Sequence, residues 1–190
     1  MKKKSIYEKY NLKWVIFISF WTFILAGIFT IISNRLVALL DIVPAFIVLI
    51  AFIFVGIIFD VIGIAVTTAE ERPFHAMAAN KVVEAKHAIK LVRNASQVSN
   101  FCNDVIGDIS GIISGAIGTN IVFNILKIYG GLNAALLSLL VTSLIASLTV
   151  GGKAIGKTVA MERYEEILYV IAKILYFLDS KFGIKFLKEG

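Results

Sequence analysis

Four long apolar runs, separated by polar stretches, set the pattern of this chain, and each of the four is about long enough to cross a bilayer as a helix. The first runs from Trp14 to Ser33 and follows a basic start, MKKKSIYEKYNLK. Its apolar core exceeds the 7 to 15 residues of a signal-peptide h-region and no A-x-A-like cleavage site follows, so it reads as a retained helix with Trp14 at the interface. The second runs from Pro44 to about Thr68, with proline in the first turn, where a missing N–H costs nothing. Val98 to Tyr129 forms the third and Asn133 to about Ala160 the fourth, joined by a Tyr-Gly-Gly-Leu turn.

Between the second and third runs, EERPFHAMAANKVVEAKHAIKLVRNASQ (Glu70 to Gln97) interleaves charges with Val82, Val83, Ala85, Ile89 and Val92. That spacing predicts a short amphipathic helical hairpin at the membrane surface, opened by Pro73. After the fourth run, Ile167, Ile171, Ile174, Leu175 and Leu178 form one stripe with Glu162, Arg163, Glu166 and Lys173 elsewhere. The charges make this an interfacial amphipathic helix rather than a fifth span. The expected fold is therefore an all-α integral membrane protein: four transmembrane helices, a cytoplasmic helical hairpin and a C-terminal interfacial helix, in one domain over 1–190.

Composition agrees. The apolar fraction is 58% and charged residues only 17%, against roughly 25% in soluble domains. Four spans put both termini on one side, and if that side is cytoplasmic only Arg35 and Lys127 of the 19 Lys and Arg residues fall in external loops. The expected location is thus the cell membrane, inner or plasma, multi-pass, with cytoplasmic termini. The net charge of +6 is spread over chain ends and connections with no nucleic-acid motif, so membrane lipid rather than nucleic acid is the expected surface partner. The single Cys102 forms no intramolecular disulfide and reads as a packing residue.

Within the apolar runs stand four ionisable residues: Asp60, Asp104, Asp108 and Lys153. Each costs about 2.5 to 3.5 kcal/mol at mid-bilayer on insertion scales, so such groups face a protein interior, pair with one another or mark an ion path. At 1.5 Å rise per residue, Asp60 lies about 12 Å in from Thr68, Asp104 about 9 Å and Asp108 about 15 Å in from Val98, and Lys153 about 10 Å in from Ala160. All four fall in one layer. Asn100, Asp104 and Asp108 share a helix face at i, i+4, i+8. On the same span Gly107, Gly111 and Gly115 form a small-xxx-small pattern suited to helix packing or a dimer contact.

Two readings of the charges stand side by side. One is a neutralising structural network in which Lys153 pairs with an aspartate; the other is a cation site or proton-coupled path, since three carboxylates against one ammonium leave two formal negative charges. His75 and His87, twelve residues apart without Cys or carboxylate at ligand spacing, give no zinc site and read as surface histidines. No nucleotide-binding, zinc-protease or serine-hydrolase signature occurs, and no nucleophile and base stand at a plausible spacing, so the chain is not expected to be an enzyme.

Three stretches resemble the transmembrane domain of the CNNM, CorB and CorC family of magnesium transport proteins: AVTTAEER (Ala65 to Arg72), EAKHAIKLVRNASQV (Glu84 to Val98) leading to IGD (Ile106 to Asp108), and GGKAIGKTVA (Gly151 to Ala160). The last is similar to the family's G-E-x-x-P-K-T-x-A signature. The resemblance covers about residues 55 to 180 of a core taken as 44–180, to which the span 14–33 is additional. It implies a homodimer and a transported magnesium ion rather than a resident cofactor; the surplus carboxylates add a proton as the alternative ion, and a heterodimer with a related transporter is the alternative assembly.

The resemblance also carries residues over. Gly152 and Lys157 match the signature Gly and Lys, whereas Lys153 stands at the metal-ligating Glu, Gly156 at the helix-kinking Pro, and Asp108 at an Asn of the preceding span. Val61, Ile62 and Gly63 stand at hydroxyl-bearing positions, which leaves Asp60 as the nearest oxygen donor. Any metal would fall to Asp108 and Asp60. An ammonium at a carboxylate position opposes a hard dication. The expectation is therefore that Lys153 acts as a tethered cation in the former metal position, paired with Asp108 first and with Asp60 or Asp104 besides. The family often carries a nucleotide-binding CBS pair after the interfacial helix; its regulation is then absent here or resides in a partner. The alternative function is a non-transporting partner or regulator of a full-length transporter.

Overall fold

The computed structural model describes residues 12–38 and 40–183, whose regular structure is all helical, with no strand among them. The expected interfacial position of Trp14 falls outside the described side chains. Four helices are long and apolar enough to cross a membrane, as in a multi-pass membrane protein: α1 (Leu12–Ala38), α2 (Ile42–Thr68), the stretch Ala95–Ile128, and α7 (Ala134–Glu162). Three short helices lie between or within them: α3 (Arg72–Ala79), α4 (Ala85–Arg93) and α5 (Ala95–Ser99). The third span is α5, a π-helical segment (Asn100–Gly107) and α6 (Asp108–Ile128) in direct succession, and α8 (Tyr164–Phe182) closes the described chain.

Local chemistry sets the boundaries. Pro73 sits in the first turn of α3. Asn133 caps α7: its Oδ1 accepts from the Ala135 and Leu136 amides at 3.0 and 3.2 Å. Gly183 ends α8 at φ 64°, the left-handed conformation that only glycine adopts at no steric cost. In-span hydroxyls return to the backbone, as with Thr142 on the Ser138 carbonyl (2.7 Å) and Thr149 on that of Ile145 (2.8 Å).

α2 is the axis of the bundle, packed by α6, α7 and the π segment, while α1 leans on α6. The main core joins Ala45, Leu49 and Ile53 of α2 to Val105, Ile109, Ile113, Ile117 and Ile121. α7 buries only Gly156 and Ala160 and turns a row of leucines outward, from Leu136 to Leu148, as a helix with lipid on most sides would.

A second core lies at the end of α2 near Thr68. There Ala65 and Val66 meet Phe74 of α3, Ala88 and Ile89 of α4, Ala160 of α7, and Leu168 and Ala172 of α8. α8 thus packs on protein along Leu168 and Ala172, with Ile167, Ile171, Leu175 and Leu178 half-buried. Of the stripe expected to face the bilayer, only Ile174 is exposed, joined by Val170 and Phe177. The stripe read from the sequence is mostly the protein-facing one, because apolar residues on α8 span more than one face. His87 Nε2 lies 3.2 Å from Asp179 Oδ2, and its ring meets Tyr176 edge-on, which ties α4 to α8. The histidine read as a surface group is therefore a contact between helices.

Candidate functional site

Glycines bring α7 onto α2. A Cβ at Gly156 would come within 2.6 Å of Val61 Cγ2, and one at Gly152 would overlap the Ile57 side chain. α7 runs as an unbroken helix through Gly156, so close approach to α2 is the visible role of that residue, where a kink was expected. On the other side of α2, Gly56 faces Ser110 at 3.2 Å from its would-be Cβ, and Gly63 lies directly under the Asn103 carboxamide. α2, α7 and the π segment thereby form a narrow seam.

Lys153 reaches into this seam. Its Nζ lies 3.2 Å from Asp60 Oδ1, the side chains being 31% and 15% exposed. Gly107 borders the same amine: a Cβ there would stand 3.6 Å from it, at ordinary contact distance. The exposures place the pair at the edge of the protein interior, neither dry nor freely solvated, where attraction outweighs the surface value.

One helical turn along α2 from Asp60, Gly63 meets Asn103. The carboxamide Nδ2 donates to Ser99 Oγ at 3.3 Å, while Oδ1 is buried with no hydrogen-bond partner. An unpaired buried acceptor in a dry interior costs about 1 to 3 kcal/mol. Sequence reasoning missed Asn103 and read Gly63 only as a position lacking a hydroxyl. The available signal was Gly56 and Gly63 at i, i+7 in an otherwise apolar span.

The remaining expected residues fall elsewhere. Asp104 and Asp108 are exposed and make no ion pair among the described residues; Lys153 has Asp60 as its partner, not Asp108. Their spacing did put them on one face, but that face points away from α2. Gly111 and Gly115 share it and have open space where a Cβ would stand, whereas Gly107 borders the seam and Gly118, part of the same small surface in the sequence, packs on Val141 and Ile145 of α7. Gly152 lies in the seam through its backbone.

Outside the spans, Glu71 joins α3 to α4, with His75 Nε2 at 3.0 Å and Arg93 Nε at 3.1 Å from its Oε2. The hydrogen bond to His75, then that to Arg93, holds its carboxyl below the ordinary 4.5. Among the described residues no group of three His, Cys, Asp or Glu side chains is arranged to hold a metal ion. Compared with protein-family models, curated proteins and solved structures, the chain matches none of them.

Proposed function

We propose that the protein is a cation-handling membrane protein with a CNNM/CorB/CorC-like core, in which the Lys153 amine takes the place of a bound divalent cation. The carrying observation is the 3.2 Å contact of Lys153 with Asp60. It lies where GGKAIGKTVA crosses α2 just ahead of AVTTAEER, and the two stretches themselves meet in the second core, Ala160 against Ala65 and Val66. An ammonium there neutralises Asp60 and repels a second cation, so magnesium would enter only after the amine leaves. In this reading α3, α4 and α8 lie on the cytoplasmic side of the cell membrane, with both termini.

A second reading, a non-transporting partner, is favoured by the outward face of the third span. Asp104, Asp108, Gly111 and Gly115 are exposed within a helix fit for lipid, which suits a second copy of the chain or a related transporter. Magnesium flux in proteoliposomes separates the two. Flux that Asp108→Asn abolishes supports transport; silent vesicles, with co-purification of a longer relative, support the partner role.

A further inference from the structure

The π segment Asn100–Gly107 interrupts the third span beside the Lys153–Asp60 pair. Single π turns inside α-helices are usual at functional sites; eight residues in this form are uncommon. A π turn bonds i to i+5, so the segment holds about one residue more than the same number of α turns. If that extra residue moves toward α5, each position between takes the direction its predecessor had, a rotation approaching the roughly 100° that separates neighbours in an α-helix.

The consequences are specific. Asp104 would take the place of Asn103, against Gly63 and one turn from Asp60, and Val105 would take the exposed place of Asp104. At the Asp104 end the exchange removes a defect of the present arrangement, while by the same rule Asn103 moves to the place of the buried Cys102. Asn103 Oδ1 is buried without a partner, and Asp104 is exposed and unpaired in a span. Val105, now buried, is an ordinary lipid-facing side chain, whereas a carboxylate there is costly. Gly63 offers no Cβ to resist either occupant.

We infer that Asp104 is a second carboxylate of the Lys153 site, carried into the seam by migration of the π turn along the third span. The seam then has two registers. In one, Asn103 is inside and Lys153 holds Asp60; in the other, Asp104 is inside and competes with Asp60 for the amine, freeing one carboxylate for a cation. The inference deepens the cation-handling reading, but its test measures register alone and needs no transported ion.

The test exploits Asp60→Asn, which takes the carboxylate from Lys153 and favours the second register. An apolar carbodiimide joins a carboxyl to an amine only when they touch. In the wild-type protein, reconstituted in bilayers, the main product expected is an Asp60–Lys153 link. In Asp60→Asn it becomes Asp104–Lys153, and photolabelling by a phospholipid with a diazirine on its acyl chain reaches Val105 several-fold more than in the wild type. A link to Asp108, no link, or an Asp104 link with Val105 still shielded overturns the inference, the last showing that only Lys153 swings. Should Asp60→Asn not fold, the wild-type digest answers: Asp104–Lys153 is expected as the minor product, lost in Asp104→Asn, and its absence overturns the inference equally.

Discussion

At the scale of residues, the seam rests on two kinds of contact with different consequences. The Lys153–Asp60 pair is 31% and 15% exposed, so part of its attraction is screened and the pair is worth less than a dry one. A double-mutant cycle of Asp60→Asn and Lys153→Met, read by thermal unfolding in detergent, is expected to give a coupling of about 1–2 kcal/mol, with the double variant more stable than Lys153→Met alone. Additive losses would show that the two groups do not support each other. Gly63 makes a steric prediction instead. Its Cβ would come 2.6 Å from Asn103 Cγ, so Gly63→Ala is expected to cost about 1–3 kcal/mol, while Gly111→Ala, in open space, stays within about 0.5 kcal/mol. Sequence spacing put Asp60 and Lys153 at one depth, because depth follows from rise per residue. It left their pairing undecided, since the rotation of one span against another is set by contacts between helices. Asp108 was preferred as partner because the resemblance placed it and Lys153 at exchanged positions of one site, and it lies exposed instead.

At the scale of elements, apolar run length was a good guide: α2 begins two residues before Pro44 and ends at Thr68 as read, and α7 follows the Asn133 cap. The π segment left no mark in the pattern, because Asn100, Asn103, Asp104 and Gly107 leave too few apolar positions between them to show a period. The polar connection did resolve into α3 and α4, and their tie is titratable. Glu71 has its carboxyl held below the ordinary value, so its support is complete above about pH 4.5 and is lost as pH falls through the lowered value. Protection of residues 72–93 against hydrogen exchange, taken relative to the intrinsic rate at each pH, is therefore expected to fall only below pH 4.5, and Glu71→Gln to show the faster exchange already at neutral pH. Equal exchange in both proteins at neutral pH would mean that the α3–α4 contact rests on Phe74 and Ile89 packing alone.

At the scale of the whole molecule, α2 links the two cores, and the seam lies between them. Ala45, Leu49 and Ile53 hold the apolar half, while Ala65 and Val66 hold α3, α4, α7 and α8 at the other end. A displacement of Lys153 is thus flanked by packing on both sides, which suits a site that changes occupant without unfolding. The central claim is that the amine stands in for a divalent cation. The direct measurement is the melting temperature of Lys153→Glu with and without millimolar magnesium, since a ligand bound only by the folded state raises it by mass action. The account predicts a magnesium-dependent rise in Lys153→Glu, absent from the wild-type protein and from Lys153→Glu with Asp60→Asn. A folded Lys153→Glu protein whose melting temperature ignores magnesium would contradict it.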